Sequence, residues 1–408
     1  MGGSVERVTT LTALRAEAAR LAPELVSLRR ELHRVPEIGL DLPITQALVL
    51  EALEGLDLEV SVGKALSSVT AVVRGERPGP AVLLRGDMDA LPVLEDSGEE
   101  FSSTHEGVMH ACGHDLHVAG LVGAARLLAA RRSELAGSVV LMFQPGEEGY
   151  AGARLMIEEG VLDAAGERVV AAYGLHVFSG HIPGGVVAGR PGTLMAASDT
   201  LSARILGKGG HGSTPHLAAD PVPAAAEVVL ALQTAVTRQF SAHDPVVVTV
   251  GRLAAGTTDN VIPGSAELDA TVRTFSRAHH GAVEERLVRV VENVAAAHGL
   301  RAEVAFERGY PVTVNDPAEL ARAARVTREL LGPEGWVDLA DPVAGAEDFS
   351  FVLDAVPGAF VFLGATPPGL DPATSPYNHS AQVRFDDGVL ADGAALLAAL
   401  ALDRLAEG

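Results

Sequence analysis

The order of helical and strand-like segments changes twice along this chain, and that double change limits the fold more than any other feature. Residues 11–34 read as an amphipathic helix, with Leu14, Leu21, Leu25, Leu28 and Leu32 at helical spacing and Pro36 as its stop. A second helical segment over 43–56 leads to β-branched or aliphatic runs at 70–74 and 81–85, which read as strands. A helix over 116–132, a strand over 138–143, a helix over 152–159 and a strand over 169–177 continue the alternation. Around Arg190–Thr193 the texture changes. Strand 200–206, a helix opened by Asp220 and Pro221 and running to about 240, strands 246–253 and 266–275, helix 280–298 and strand 301–306 spell β-α-β-β-α-β. After Asp316 the earlier alternation resumes with 317–331, 359–363 and 388–405. The expected fold is therefore α/β. A mixed-sheet domain with flanking helices (1–192 and 310–408) is interrupted by a ferredoxin-like domain (193–309).

Composition narrows the class. A chain of 408 residues with 53 acidic against 31 basic side chains carries a net charge of −22, which argues against a nucleic-acid phosphate backbone or an anionic membrane surface as partner. No apolar run reaches the ~18 residues of a membrane helix, and the first residues show no basic stretch followed by an apolar one. One cysteine makes no internal disulfide, so a cytoplasmic enzyme is expected.

That cysteine has unusual neighbours. Asp87-Met88-Asp89, His110-Ala111-Cys112-Gly113-His114-Asp115, Gln144-Pro145-Gly146-Glu147-Glu148 and Gly174-Leu175-His176 lie at strand ends or in the loops after strands, where open α/β sheets place their sites; Asn378-His379-Ser380 lies near the C-terminus. Cys, His and Glu are the ligand set of a borderline-soft divalent metal. Cys112 and His114, two apart, reach one pocket from a tight loop. Adjacent Glu147 and Glu148 diverge, so one binds metal while its neighbour holds a water as general base.

With those motifs in view, Gly86-Asp87-Met88-Asp89-Ala90-Leu91-Pro92, Met109 to Asp115, Gln144 to Glu148 and Gly345-Ala346-Glu347-Asp348-Phe349 resemble the two-metal superfamily of aminoacylase, carboxypeptidase G and succinyl-diaminopimelate desuccinylase. The nearer resemblance is to its branch of hippurate hydrolases, N-acyl-amino-acid deacylases and auxin-conjugate hydrolases, and it runs from about Leu28 to the last helix. It implies two divalent metal ions per subunit. Cys112 would bridge them, with His114 and His176 on one, Glu148 and His379 on the other, Glu147 as general base and Asp89 orienting a ligand imidazole. The carboxypeptidase relatives have a His ligand where this chain has Asp87 and an Asp bridge where it has Cys112, and His114 replaces the lost histidine. A thiolate bridge favours zinc; the other ligands also admit manganese, cobalt or nickel. In the inserted domain the resemblance makes His211 the donor to the developing oxyanion, Asn260 its helper and Arg273 the clamp for a substrate carboxylate. In relatives that His arrives from the partner subunit, which implies a homodimer built through the inserted domain, a lid and dimerisation domain over the catalytic one. The reaction implied is hydrolysis of a small-molecule N-acyl amino acid (acetyl, benzoyl or aryl-acyl). A dipeptidase or carboxypeptidase shares every part of the machinery, and a non-catalytic binding protein on this fold is the reading from another class.

Plainer readings compete at several positions. A Cys-His nucleophile leaves the Glu pair and two distant His without a task. Asp87 serves equally as a loop cap. His33, Glu37, His110, His117 and His216 read as structural, His243, His279, His280 and His298 as surface residues, and Glu347 and Asp348 as shapers of a loop. The glycines around His211 are a turn, since no Lys-Ser/Thr follows them.

Overall fold

A computed structural model describes the chain from Gly2 to Glu407, with side chains from Thr10 onward. The chain divides into two compact units: one takes the residues up to Gly192, Val314–Asp341 and Phe351 to the last helix, the other Thr193–Thr313 and Pro342–Ser350.

The first unit opens with α1 (Gly2–Arg34), which begins before the leucine stripe does. Once nucleated, a helix gains one hydrogen bond for each residue added, so it needs no apolar face in its first turns. Leu11, Leu14, Ala18, Leu25 and Leu32 are its buried row. Next come α2 (Pro43–Leu53), β1 (Glu59–Val62), β2 (Val69–Arg74), β3 (Arg77–Asp87), α3 (His114–Ala129), β4 (Ala136–Gln144), α4 (Gly152–Glu158), β5 (Ala171–Phe178) and β6 (Val187–Gly189). Helix α2 stops three residues short of the expected end, because Gly55 and Asp57 take left-handed backbone. Helix α3 starts earlier than expected, so His114 stands in its first turn.

In the second unit β7 (Gly192–Met195) leads to β8 (Ala197–Leu206), β9 (Gly210–His211), α5 (Pro221–Gln239), β10 (Val246–Ala255), β11 (Val261–Ile262), β12 (Ser265–Thr274), α6 (Arg277–Ala297) and β13 (Arg301–Tyr310). Its main sheet has the order β10-β12-β8-β13 with every pair antiparallel, the ferredoxin-like arrangement. Asp220 caps α5 through the amide of Val222, and Ser276 caps α6 through that of His279, three residues before the expected helix start. Apolar side chains of α5, α6 and one sheet face form a separate core around Leu201, Val228, Leu268 and Leu287. Pro342–Ser350 joins this unit because Val343 exchanges backbone hydrogen bonds with Leu194 and Ala196.

The chain then returns with β14 (Thr313–Asn315), α7 (Pro317–Leu331), β15 (Trp336–Asp338), α8 (Ser350–Ala355), β16 (Gly358–Gly364) and α9 (Leu390–Ala406). The large mixed sheet has the order β1-β2-β4-β3-β5-β16-β6-β15. Its four central strands β4, β3, β5 and β16 run parallel and are buried on both faces, so they read as continuous apolar runs. Helices α1, α3, α7 and α9 pack on one another beside the sheet. The short edge strands β1 and β15, and β6 beside β15, carry no periodic signal in the sequence.

Candidate metal centre

All four motifs from the first half of the chain emerge together at the C-terminal ends of β3, β4 and β5 and the start of α3. The turn into α3 depends on Gly113, whose φ is +85°, and a Cβ there would stand 2.5 Å from Val177 Cγ2. His379 takes left-handed backbone with φ +71°, and its amide is fastened to the carbonyl of Ala111 at 2.8 Å. Residues 266 positions apart are thereby brought together: Asn378 Nδ2 donates to the Cys112 carbonyl at 3.2 Å and the Val177 carbonyl at 3.0 Å, while its Oδ1 accepts from Ser179 N.

Cys112 Sγ is the hub. It lies 3.4 Å from His176 Nε2 and 3.3 Å from His379 Nε2. Two donor sets share it, Cys112-His114-His176 and Cys112-Glu148-His379, each with one atom from every residue within 4.8 Å of the others. His114, Glu147 and Glu148 form a further set of that size. His176 Nδ1 donates to the Val177 carbonyl at 2.8 Å, which leaves the Nε2 lone pair directed at the sulfur side. Both ring nitrogens of His114 are buried without a hydrogen bond, with Asp87 Oδ2 and Asp89 Oδ1 each 3.5 Å away. Glu148 Oε1 is buried 3.2 Å from His379 Nε2, off hydrogen-bond geometry. Unsatisfied buried nitrogens and a carboxylate oxygen around one sulfur are a donor set that fits a divalent cation of borderline softness.

The electrostatics agree. Burial, then the neighbouring His117, holds His176 well below the usual imidazole range, so it is a neutral ligand. Contact with the Cys112 sulfur and then with Glu148 pushes His379 up to about 10. Burial opposes a charge on His114, but Asp87 and Cys112 raise it well above 6.5. Burial likewise opposes ionisation of Glu148, and His379 and His114 beside it outweigh that.

Asp89 and Asp87 have different partners. Asp89 accepts the amides of Glu147 and Glu148 on its two oxygens at 3.0 and 2.9 Å, so it sets the loop that carries both glutamates besides facing His114. Asp87 is no loop cap. Arg85 Nη1 donates to it at 2.7 Å and His117 Nδ1 to its other oxygen, while His117 Nε2 accepts from Val177 N at 2.8 Å. With both nitrogens of His117 engaged and Asp87 paired to Arg85, that trio is a buried support for His114 rather than a third ligand set. Farther back, Asp115 pairs with Arg29 Nε at 2.8 Å and His33 Nδ1 at 2.7 Å, and His33 reaches Glu95. Glu37 accepts the first amides of α2, from Ile44 and Thr45.

In the second unit β9 pairs with β11, placing His211 opposite Val261 and next to Asn260, whose carbonyl accepts from Gly212 N at 2.8 Å. His211 is exposed, and its Nδ1 accepts from Ser213 N at 3.1 Å. The ring therefore carries its proton on Nε2. Arg273 stands at the other end of the sheet, opposite Ser198, whose hydroxyl it contacts. Eight residue steps along the strand from Ser198 to Leu206 put roughly 25 Å between that end and the end that leads to His211. His280, expected at the surface, reaches buried Asp199 at 3.3 Å, and His279 faces Asp244 at 3.2 Å and packs edge-on to Phe240. Glu347 is buried and accepts from the Phe349 amide.

Asn378 and Arg85 are the residues that sequence reasoning gave no task. Asn378 was visible only as the neighbour of His379, and nothing local announces contacts with Cys112 and Val177.

This fold and this donor cluster define a metal-dependent amidohydrolase. The chain belongs to peptidase family M20/M25/M40, whose model matches residues 83–403. It is 38% identical to thermostable carboxypeptidase 2 of Saccharolobus solfataricus over 95% of this chain and 97% of that protein. It is 39% identical to an IAA-amino acid hydrolase of Arabidopsis thaliana (94% and 85%) and 39% identical to N-acetyl-L-cysteine deacetylase of Bacillus subtilis (84% and 81%). A crystal structure from Bacillus subtilis described as a dinuclear metal binding peptidase of the M20 family superposes with a TM-score of 0.82 at 33% identity, over 95% of this chain and 99% of that one. Among the described residues, no helix is long and apolar enough to cross a membrane.

Proposed function

We propose that this enzyme hydrolyses N-acyl-L-amino acids to a carboxylate and a free amino acid, using two divalent cations. Cys112 is their shared ligand, His114 and His176 complete one set, and Glu148 and His379 the other. The observation that carries this reading is the pair of donor sets meeting at one sulfur, with Glu147 against the same cluster. When bound, the cations supply Lewis-acid polarisation of the amide carbonyl and acidity to a water. Glu147 accepts the proton of the attacking water and hands it to the departing amine nitrogen. His211 Nε2–H donates to the carbonyl oxygen as negative charge develops on it, a contribution often near 3 kcal/mol, and Asn260 helps to position that oxygen. Arg273 presents its planar fork to the substrate carboxylate.

The roughly 25 Å between Arg273 and His211 supports a homodimer in which the two serve different sites. A substrate small enough to touch both cannot do so within one chain's sheet, so His211 and Asn260 act in the partner's centre.

The deciding assay offers N-acetyl-, N-benzoyl- and indole-acetyl-amino acids to protein loaded with Zn²⁺ or Mn²⁺. Turnover of at least one class is expected; none, with both cations shown bound, sinks the reading. The carboxypeptidase relative favours a second one, C-terminal cleavage of blocked peptides, and a kcat/KM higher on those than on any N-acyl amino acid selects it.

A further inference from the structure

From the donor His176 the first unit carries a file of aromatic rings outward, and its outer members, Phe178, Tyr377 and His181, have no part in holding cations or moving protons. His176 packs on Phe178 with ring centroids 4.9 Å apart, and Phe178 stacks on Tyr377 at 5.6 Å and 26°. His181 meets Tyr377 edge-on at 5.1 Å. The inner rings are covered, whereas Tyr377 is 39% exposed. His176 Nε2 is 3.4 Å from Cys112 Sγ, and Tyr377 belongs to the same loop as His379, so the file runs from the donor cluster outward to an exposed ring.

The platform is held rigidly. His181 is one of the few non-glycine residues in left-handed backbone, at φ +60°, and its amide donates to the Pro372 carbonyl at 2.8 Å. Gly180 N donates to Thr366 Oγ1 at 2.9 Å, and Ser179 N to Asn378 Oδ1 at 3.0 Å. The segment after β5 thus clasps the loop that presents Tyr377 at both of its ends. A tyrosine ring with two rotatable bonds, fixed from below by a stacked phenylalanine and from the side by an imidazole, is preorganised for a planar partner.

We infer that Tyr377, supported by Phe178 and His181, is a specificity determinant that stacks on a planar aromatic acyl group of the substrate. This rests on the amidohydrolase reading above. The acyl substituent is one bond from the carbon under attack at the cluster. Tyr377 and the donor cluster belong to the same unit, so the ring is available to that substituent without any contribution from the other unit. Offset stacking at centroid distances of 4.5–7 Å, as between Tyr377 and Phe178, extends the file by one ring.

The test compares N-benzoylglycine, N-acetylglycine and N-acetylphenylalanine. In Tyr377→Ala the ratio of kcat/KM for N-benzoylglycine over N-acetylglycine is expected to fall roughly tenfold, and in Tyr377→Phe to stay near the wild-type value, because stacking needs the ring and not the hydroxyl. Equal losses on those two substrates overturn the inference, as does a loss concentrated on N-acetylphenylalanine, which carries its ring on the amino-acid side. Calorimetric binding to the Glu147→Gln protein provides a readout without turnover. There, adding Tyr377→Ala is expected to weaken N-benzoylglycine roughly tenfold more than N-acetylglycine, and an unchanged ratio overturns the inference. Wild-type protein that turns over none of the three contradicts the proposed function, whereas turnover with an unmoved ratio contradicts only the role of Tyr377.

Discussion

The two regions proposed to meet the substrate are built on opposite principles. In the first unit the donors are held from behind, whether buried like Cys112, His114 and His176 or exposed like His379: His176 by the Val177 carbonyl, His379 by that of Ala111, the Glu147–Glu148 loop by both oxygens of Asp89, and the Cys112 loop by Asn378. In the second unit His211 is exposed on a two-residue strand paired with β11, and its ring accepts from its own loop at Ser213. A centre that must bind cations at fixed distances needs a framework, while a hydrogen-bond donor to a transient oxyanion needs only the right tautomer and a partner brought to it.

Four changes break or sharpen this contrast. Glu147→Gln is expected to cost up to roughly 10⁴-fold in kcat with metal content unchanged, measured by turnover beside elemental analysis. An active variant removes Glu147 from its role. Asp115→Ala attacks the framework instead, removing the carboxylate that Arg29 and His33 share and leaving them only Asp387 and Glu95, and urea unfolding is expected to show a loss of about 3 kcal/mol. His211→Ala is expected to lower kcat by roughly 10²–10³ while unfolding midpoint and metal content hold, as suits an exposed side chain. Mixing that variant with Glu147→Gln restores activity if the two residues act across a dimer, and fails to if they act within one chain. The smallest effect is on pH. Burial opposes ionisation of Glu95, but hydrogen bonds from His33, Ser97 and Ser103 bring it to about 2 from 4.5. Its stabilisation is therefore complete above 4.5 and lost as pH falls toward 2. Glu95→Gln is expected to flatten the thermal midpoint across that window, and an unaltered profile rules the pairing out as its source.

Much of this was legible in the sequence because it is local. Asp220-Pro221 and Asp316-Pro317 announce helix starts, the leucine stripe announces α1, and the donors sit where motif follows strand. What escaped depends on distant pairings. Asp89 holds amides 58 and 59 positions away, and Asn378 reaches back 266 residues to Cys112. Asp87 looked like a cap because its true partners, Arg85 and His117, meet it only once β3 and α3 are packed. Tyr377 carried no signal at all, since ring stacking has no sequence period.

The insertion of one unit into another has a consequence for synthesis. A ribosome delivers β8 through β13 while β16, His379 and α9 are still unmade, so the ferredoxin-like unit has its strands and helices before the sheet of the other unit can close. The proposed donors Cys112, His114, Glu148 and His176 precede the inserted unit and His379 follows it, so the proposed donor set is complete only once the chain has passed through that unit. Helix α9 packs on α1 and α3, so the helical layer beside the large sheet is completed by segments from both sides of the inserted unit.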